Sequence, residues 1–216
     1  MKAILLANGN APRKSLINKL KSIGYNKLVC ADGGANTAHK LKLVPDLIIG
    51  DLDSISNSVL NYYNKDIKIQ KIKRQNDTDV EKALKYLISK KIEKVVLLGG
   101  TGNRLDHTFC NLGIVLKYFD KIDVDLIHKN SLLTAFQGKI KFEAEIGETI
   151  SVYGFDNKTK FVSDGLKYPL KNISLKFGER ESTSNEAAKK TVSINSRGGK
   201  AFLIRDVKTS FKYDFI

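Results

Sequence analysis

Four short segments gather the acidic, basic and small residues that phosphate chemistry uses. They are D-G-G-A-N at 32–36, G-D-L-D-S at 50–54, N-D-T-D at 76–79 and G-G-T-G-N-R-L-D-H at 99–107. In the second, Asp51 and Asp53 stand two apart, so an extended segment points both carboxylates to one side. Adjacent carboxylates repel, and a divalent cation relieves the repulsion. Mg²⁺ takes one or two protein carboxylates and completes its octahedron with water and substrate phosphates. The competing reading is a turn in which Asp51 or Asp53 caps a helix after Ser54. On this segment alone the two readings stand level.

In N-D-T-D-V-E, Thr78 and Glu81 have the spacing of a capping box for a helix over Val80–Ile88. Asp77 and Asp79 then favour the helix N-terminus by charge, worth about 0.3–1 kcal/mol. A cap does not require two acids, so Asp79 is a candidate third metal carboxylate. In the last segment the glycines, Gly100 and Gly102 among them, admit backbone close to a phosphate. The amides of a helix starting near Asp106 face the same space, and Arg104 offers a bidentate fork for phosphate oxygens. The bland alternative makes Asp106 an ordinary N-cap and His107 a partly buried first-turn residue. The sequence contains neither G-x-x-x-x-G-K-[ST] nor G-x-G-x-x-G. A P-loop NTPase and a dinucleotide dehydrogenase are therefore disfavoured.

These segments need a frame, and the apolar pattern predicts one. Strands are expected at Ala3–Ala7, Leu28–Ala31, Leu47–Gly50, Ile67–Ile72, Val95–Leu98 and Val124–Ile127. Helical spacing is expected over Ser15–Ile23, Ala35–Leu41, Asn57–Tyr63 and Val80–Ile88, with another helix showing Phe109, Leu112, Leu116 and Phe119 on one face. Strand and helix in alternation predict a mainly parallel sheet with helices on both faces. Asp32, the pair Asp51 and Asp53, and Gly99–Arg104 each follow a strand. Ligands of open α/β sheets bind outside the carboxyl ends of the strands, so three clusters converge on one edge. After about Asn130 short apolar stretches alternate with Gly, Asn, Asp and Ser. They include Ile140–Ala144, Thr149–Phe155, Ile173–Phe177 and Ala201–Ile204, and they predict a small antiparallel sandwich or barrel. The expected domains are residues 1–130 and 131–216, with the boundary between 128 and 138.

The chain has 216 residues, 42% hydrophobic and 28% charged, enough for one or two domains. Its apolar runs, Val95–Leu98 for example, fall far short of the roughly 20 residues that cross a bilayer. The N-terminus lacks a signal-peptide core of useful length. Cys30 and Cys110 lie in apolar segments, without C-x-x-C, H-E-x-x-H or a Cys/His cluster. A soluble cytoplasmic protein is expected, with no membrane partner. Lys+Arg number 37 against 23 Asp+Glu, a net charge of +14, which raises the question of nucleic acid. The lysines are scattered, however, and the aromatics are not interleaved with them as a base-stacking platform requires. The charge reads as a solvated lysine-rich surface, and nucleic acid is not an expected partner.

Taken together and in order, the four segments resemble the thiamin pyrophosphokinase family. The resemblance extends to G-L-K-Y-P-L at 165–170 and S-T-S-N-E-A at 182–187, which are similar to its thiamin-side motifs. It implies an N-terminal α/β domain for ATP, a C-terminal β-sandwich domain for thiamin, and a homodimer with thiamin between subunits. By position, it implies that Asp32, Gly33, Asn36, Asp51, Ser54, Gly100, Gly102 and Arg104 line the ATP site. Asp51, Asp53 and Asp79 would hold Mg²⁺. Asp53, Asp79, Arg104 and Asp106 would serve catalysis, while Asp106, His107, Ser184 and Asn185 would hold thiamin. The implied reaction moves a diphosphate from ATP to the thiamin hydroxyl and expels AMP, with Asp106 nominated as base. Two positions depart from the family pattern: Asn76 stands where an acid is usual, with Asp77 displaced by one, and Asn103 where a glycine is common. Two rivals remain. One is a pyrophosphokinase of the same architecture acting on another heterocyclic alcohol, such as a hydroxymethylpterin. The other is a non-catalytic basic nucleotide- or RNA-binding protein.

Overall fold

Runs of Val, Ile, Leu and Ala supply six parallel strands: β1 (Lys2–Leu6), β2 (Lys27–Ala31), β3 (Leu47–Gly50), β4 (Lys68–Lys71), β5 (Lys94–Leu98) and β6 (Asp123–His128). Their spatial order is β4-β3-β2-β1-β5-β6, every pair parallel. The computed structural model describes residues 1–73 and 76–213, and the chain divides into two units, Met1–Lys129 and Asn130–Ile216. In β1, β2, β3 and β5 consecutive residues are buried, so both faces of this first-unit sheet are covered. The covering helices are α1 (Lys14–Ser22), α2 (Gly34–Lys40), α3 (Asn57–Tyr63), α4 (Asp79–Ser89) and α5 (Leu105–Lys117).

Local chemistry explains two of the helix starts. Ser56, not Asp51 or Asp53, caps α3 by accepting from the Val59 amide. Thr78 caps α4 by accepting from the Glu81 amide. α4 buries Val80, Ala83, Leu84 and Leu87 and packs against β2 and β3. In α5 the expected apolar face is not the buried one. Asn111, Ile114 and Val115 face inward, while Phe109 is exposed. The helix carries two apolar stripes, and its period alone does not say which meets the sheet.

Strand order reverses at β1. The chain runs outward from β1 through β4, then returns to lay β5 on the other side of β1. The loops that leave β1 and β5 are joined there, Gly9 N to Gly99 O at 2.8 Å and Asn10 N to Thr101 O at 2.7 Å. Such a switch point is where open α/β sheets form their ligand crevice.

The second unit is antiparallel. It contains β7 (Ser131–Glu143), β8 (Thr149–Gly154), β9 (Lys160–Asp164), β10 (Lys171–Ile173), β11 (Ser182–Glu186), β12 (Thr191–Asp206) and α6 (Val207–Tyr213). β7 and β12 pair along nearly their whole length, with a shift between Ser196 and Ala201. Before the shift β12 also pairs with β9, which pairs with β10. After it, β12 pairs with β8, which pairs with β11. One long ribbon thus serves two sheets in a β-sandwich. Phe136, Phe142, Ile150, Val152, Phe161, Leu175 and Ile194 belong to its core. The strand expected at Ile173–Phe177 ends at Ile173, and Ala201–Ile204 is the end of a much longer strand. Among the described residues no helix is long and apolar enough to cross a membrane.

Candidate active site

Two strand ends and one helix start bring carboxylates together. Asp32 follows β2, Asp51 follows β3 and Asp79 opens α4, and one oxygen of each lies within 4.8 Å of the others. Gly50 makes the approach possible. A Cβ there would stand 2.8 Å from Asp32 Cβ and 3.0 Å from Asp79 Oδ1. Asp32 is 3% exposed. Its Oδ2 accepts from the Ser54 amide at 3.2 Å. Oδ1 of Asp32 and Oδ1 of Asp51 are buried without a hydrogen-bond partner among the described residues. Burial pushes the Asp32 carboxyl up; the Ser54 bond opposes this and the Asp79 charge adds to it.

Buried acceptors left unpaired cost free energy, and two of them in a group of three carboxylates have the chemistry of a hard-cation site. The spread also fits one ion, since opposite ligands of Mg²⁺ lie about 4.2 Å apart and those of a larger ion about 5 Å. One cation is already present. The Lys82 ammonium is buried and lies 2.9 Å from Asp79 Oδ1 and 3.6 Å from Asp51 Oδ2. Burial opposes its charge, but the Asp79 hydrogen bond and the two carboxylate charges prevail and hold it above the ordinary lysine value.

Asp53 is not in this group. Leu52 has φ 67°, so the segment is not extended and strand alternation does not set where the two acids point. Asp53 lines the same cleft but is exposed and accepts from its neighbour Ser54 Oγ. Asp77 is bound by Lys85 at 2.7 Å. Glu81 does not complete the capping box: its carboxylate is buried and takes Lys117 Nζ at 2.5 Å and Tyr118 OH at 2.7 Å. Asn36 braces the 50–56 loop, donating to Ser54 O at 2.8 Å and accepting from Ser56 N at 3.1 Å. Gly33 packs on Asn8, where a Cβ would stand 2.3 Å from the amide nitrogen. Neither Gly33 nor Asn36 is among the residues lining the cleft.

The cleft holds about 760 Å³ and extends from the carboxylates to the loop after β5, including Gly100, Gly102, Arg104, Asp106 and His107. Asn111, inside α5, donates to Gly100 O at 2.7 Å, and Thr101 Oγ1 lies 2.5 Å from His128 Nδ1. α5 begins at Leu105 with Arg104 in the N-cap position and no side-chain cap, so Asp106 is not the cap. Instead Arg104 Nη2 donates to Asp106 Oδ2 at 2.6 Å, both side chains being exposed. The Arg104 hydrogen bond holds the Asp106 carboxyl below its usual range. His107 is exposed rather than partly buried.

In the second unit, Ser184 and Asn185 lie on β11, at a register shift where Ser184 takes φ 55°. Ser184 is exposed. Asn185 is buried, and its amide is fully engaged. Its oxygen accepts from Tyr168 N and Glu186 N, and its nitrogen donates to Tyr168 O and Ser182 Oγ. Asn185 therefore ties the 165–170 loop to β11, and none of its four hydrogen-bonding positions is spare.

Comparison with known proteins assigns both units. The family model described as thiamin pyrophosphokinase, catalytic domain, matches residues 23–126, and that described as thiamin pyrophosphokinase, vitamin B1 binding domain, matches residues 138–200. The chain belongs to the thiamin pyrophosphokinase family. Thiamin pyrophosphokinase 1 of Caenorhabditis elegans is 29% identical over 223 residues, covering 95% of this chain and 90% of the relative. The thiamine pyrophosphokinase of Bacillus subtilis is 27% identical over 177 residues, covering 79% of this chain and 80% of the relative. The crystal structure of thiamine pyrophosphokinase from Bacillus subtilis superposes with a TM-score of 0.81 at 24% identity, over 95% of this chain and 99% of that one. The Candida albicans thiamin pyrophosphokinase structure gives 0.84 at 19% identity, over 95% and 88%. At these identities the structural matches establish the fold. The chain is an enzyme of the thiamin pyrophosphokinase type.

For this pyrophosphokinase, reasoning from sequence missed two contributors to the cleft. Lys82 was overlooked, although its spacing of three from Asp79 puts both on one helix face. The Asn8–Asn10 turn after β1 was passed over as well, although it lines the cleft and is bonded to the loop after β5. A position after the first strand of an α/β sheet was the available signal.

Proposed function

We propose that this enzyme transfers the β,γ-diphosphate of ATP to the primary hydroxyl of thiamin with Mg²⁺, in the cytoplasm. The hydroxyl oxygen bonds to the β-phosphorus, the bond from that phosphorus to the α,β-bridging oxygen breaks, and AMP leaves with its electron pair. The hydroxyl proton passes to solvent or a carboxylate. The observation that carries this reading is the trio Asp32, Asp51 and Asp79 with two buried, unpaired oxygens at the switch-point cleft.

Asp51 and Asp79 would hold the ion with Asp32, while Asp53 lines the cleft beyond them. Bound there, Mg²⁺ would supply positive charge against the phosphates. The 99–104 loop, tied by Asn111 to Gly100 O and by Thr101 to His128, offers backbone to the triphosphate, and Asn36 keeps the 50–56 loop in place. Arg104, oriented by Asp106, is the phosphate clamp. A carboxylate held low by an arginine is a weak base, so Asp106 acts here by positioning Arg104. Transfer of this kind rests on positioning and charge neutralisation and does not need a strong base. The vitamin B1 binding match over residues 138–200 favours thiamin over a pterin alcohol, and over a non-catalytic role. Asn185 supports the thiamin side by holding the 165–170 loop to β11, on which Ser184 is exposed.

The deciding assay incubates the protein with ATP, Mg²⁺ and thiamin and measures AMP and thiamin diphosphate. Equal amounts of both are expected, abolished by EDTA. AMP without thiamin diphosphate, or undiminished turnover in EDTA, would overturn the proposal. A homodimer is proposed as well, supported by exposed Ile146, Tyr168 and Phe177 on the second unit. Sedimentation at micromolar concentration tests it, and a fully active monomer would refute it.

A further inference from the structure

We infer that Lys82 is the resident counter-charge of the carboxylate trio and sets its capacity at one divalent ion before nucleotide binds. The inference rests on the metal reading above and extends it. Asp32, Asp51 and Asp79 carry three negative charges, with their oxygens within 4.8 Å. Lys82 is 4% exposed and contacts two of the three, 2.9 Å from Asp79 and 3.6 Å from Asp51. The cluster is thus two charges short of neutrality, the charge of one divalent ion.

The other acids lining the cleft have their own answers. Asp77 is paired with Lys85, Asp106 with Arg104, and Asp53 is exposed to water. None of them adds an uncompensated buried charge. The two unpaired oxygens, on Asp32 and Asp51, have no donor among the described residues, and one cation would answer both. Lys82 also reaches the trio from within α4, one turn beyond Asp79, so its ammonium is fixed by the helix rather than by a mobile loop. Its work is positioning. It allows three carboxylates to share a partly buried site while no metal is bound, and it leaves a deficit that a single ion fills.

The test is a Mn²⁺ titration of metal-free protein without nucleotide, read by the electron paramagnetic resonance signal of the free ion. Thermal melting in EDTA and in saturating Mg²⁺ accompanies it. Wild type is expected to take one Mn²⁺. Lys82→Met should melt roughly 3–8 °C lower in EDTA, recover most of that in Mg²⁺, and bind Mn²⁺ at least about tenfold more tightly or take a second ion. Adding Asp79→Asn to Lys82→Met removes one negative charge with the positive one, and should restore the melting temperature in EDTA. Two Mn²⁺ on the wild type would overturn the inference. So would a Lys82→Met deficit that is equal in EDTA and Mg²⁺, or one that Asp79→Asn leaves in place, because both describe lost packing. If wild type takes up no Mn²⁺, the metal reading itself fails, while the melting cycle in EDTA still judges the counter-charge.

Discussion

Replacing Asp32 by Asn separates a metal carboxylate from a structural one. Two unit charges 4.8 Å apart, the outer limit within the trio, repel by about 3 kcal/mol at an effective dielectric near 20. Asp32 takes part in two such pairs, and Lys82 touches Asp51 and Asp79 rather than Asp32. An asparagine keeps an oxygen for the Ser54 amide and brings an amide that the unpaired Asp51 Oδ1 can accept. After relaxation of the side chains, Asp32→Asn should be more stable than wild type in EDTA by about 1–3 kcal/mol. In Mg²⁺ the order should reverse, with Mn²⁺ affinity down at least about tenfold and turnover down about a hundredfold. The pH dependence has a definite sign. Burial raises the folded Asp32 pKa, so its contribution is fully present below the unfolded value near about 3.9 and is lost as pH rises through the folded value. Metal-free wild type should therefore lose stability on that rise, and the variant should lose less. Urea denaturation across pH, with and without Mg²⁺, reads all of this. A variant that is less stable than wild type in EDTA would refute the reasoning and make Asp32 an anchor of the 50–56 loop.

Three other substitutions test neighbouring claims. Asp53→Asn should fold like wild type and change Mn²⁺ affinity without nucleotide by less than about threefold, since its carboxylate lies outside the trio; a tenfold loss by titration would return Asp53 to the metal set. Glu81→Ala should cost about 1–3 kcal/mol by leaving Tyr118 OH unpaired. The Glu81 bonds to Lys117 and Tyr118 outweigh burial and hold its pKa low, so that stability should be present at neutral pH and lost as pH falls through the folded value; an acid limb identical in Glu81→Ala and wild type would count against it. Asn185→Ala should lower stability by about 1–3 kcal/mol, raise the thiamin KM about tenfold and leave the ATP KM little changed. Unchanged thiamin kinetics in that variant and in Ser184→Ala would make this stretch of β11 purely structural.

Much of the architecture was legible in the residues themselves. The alternation of buried strands with helices, the Asn57–Tyr63 helix and the Thr78 cap depend on neighbours within about one helical turn, and the structure has them where the pattern put them. The ordered aspartate segments sufficed to identify the family. What tertiary structure alone decided is which atoms meet. A left-handed Leu52 breaks the extended geometry assumed for Asp51 and Asp53. A missing Cβ at Gly50 lets Asp32 and Asp79 close on Asp51. Sheet order carries the β1 turn to the loop after β5. The α5 stripe was misjudged because an apolar face says that a helix is amphipathic, not what it faces. That Asn185 joins β11 to the 165–170 loop through four hydrogen bonds was likewise invisible in the sequence, because its partner Tyr168 lies 17 residues away. Periodicity and caps are local properties, written in sequence. The convergence of charges on one point depends on backbone turns and strand order, which only the folded chain brings together.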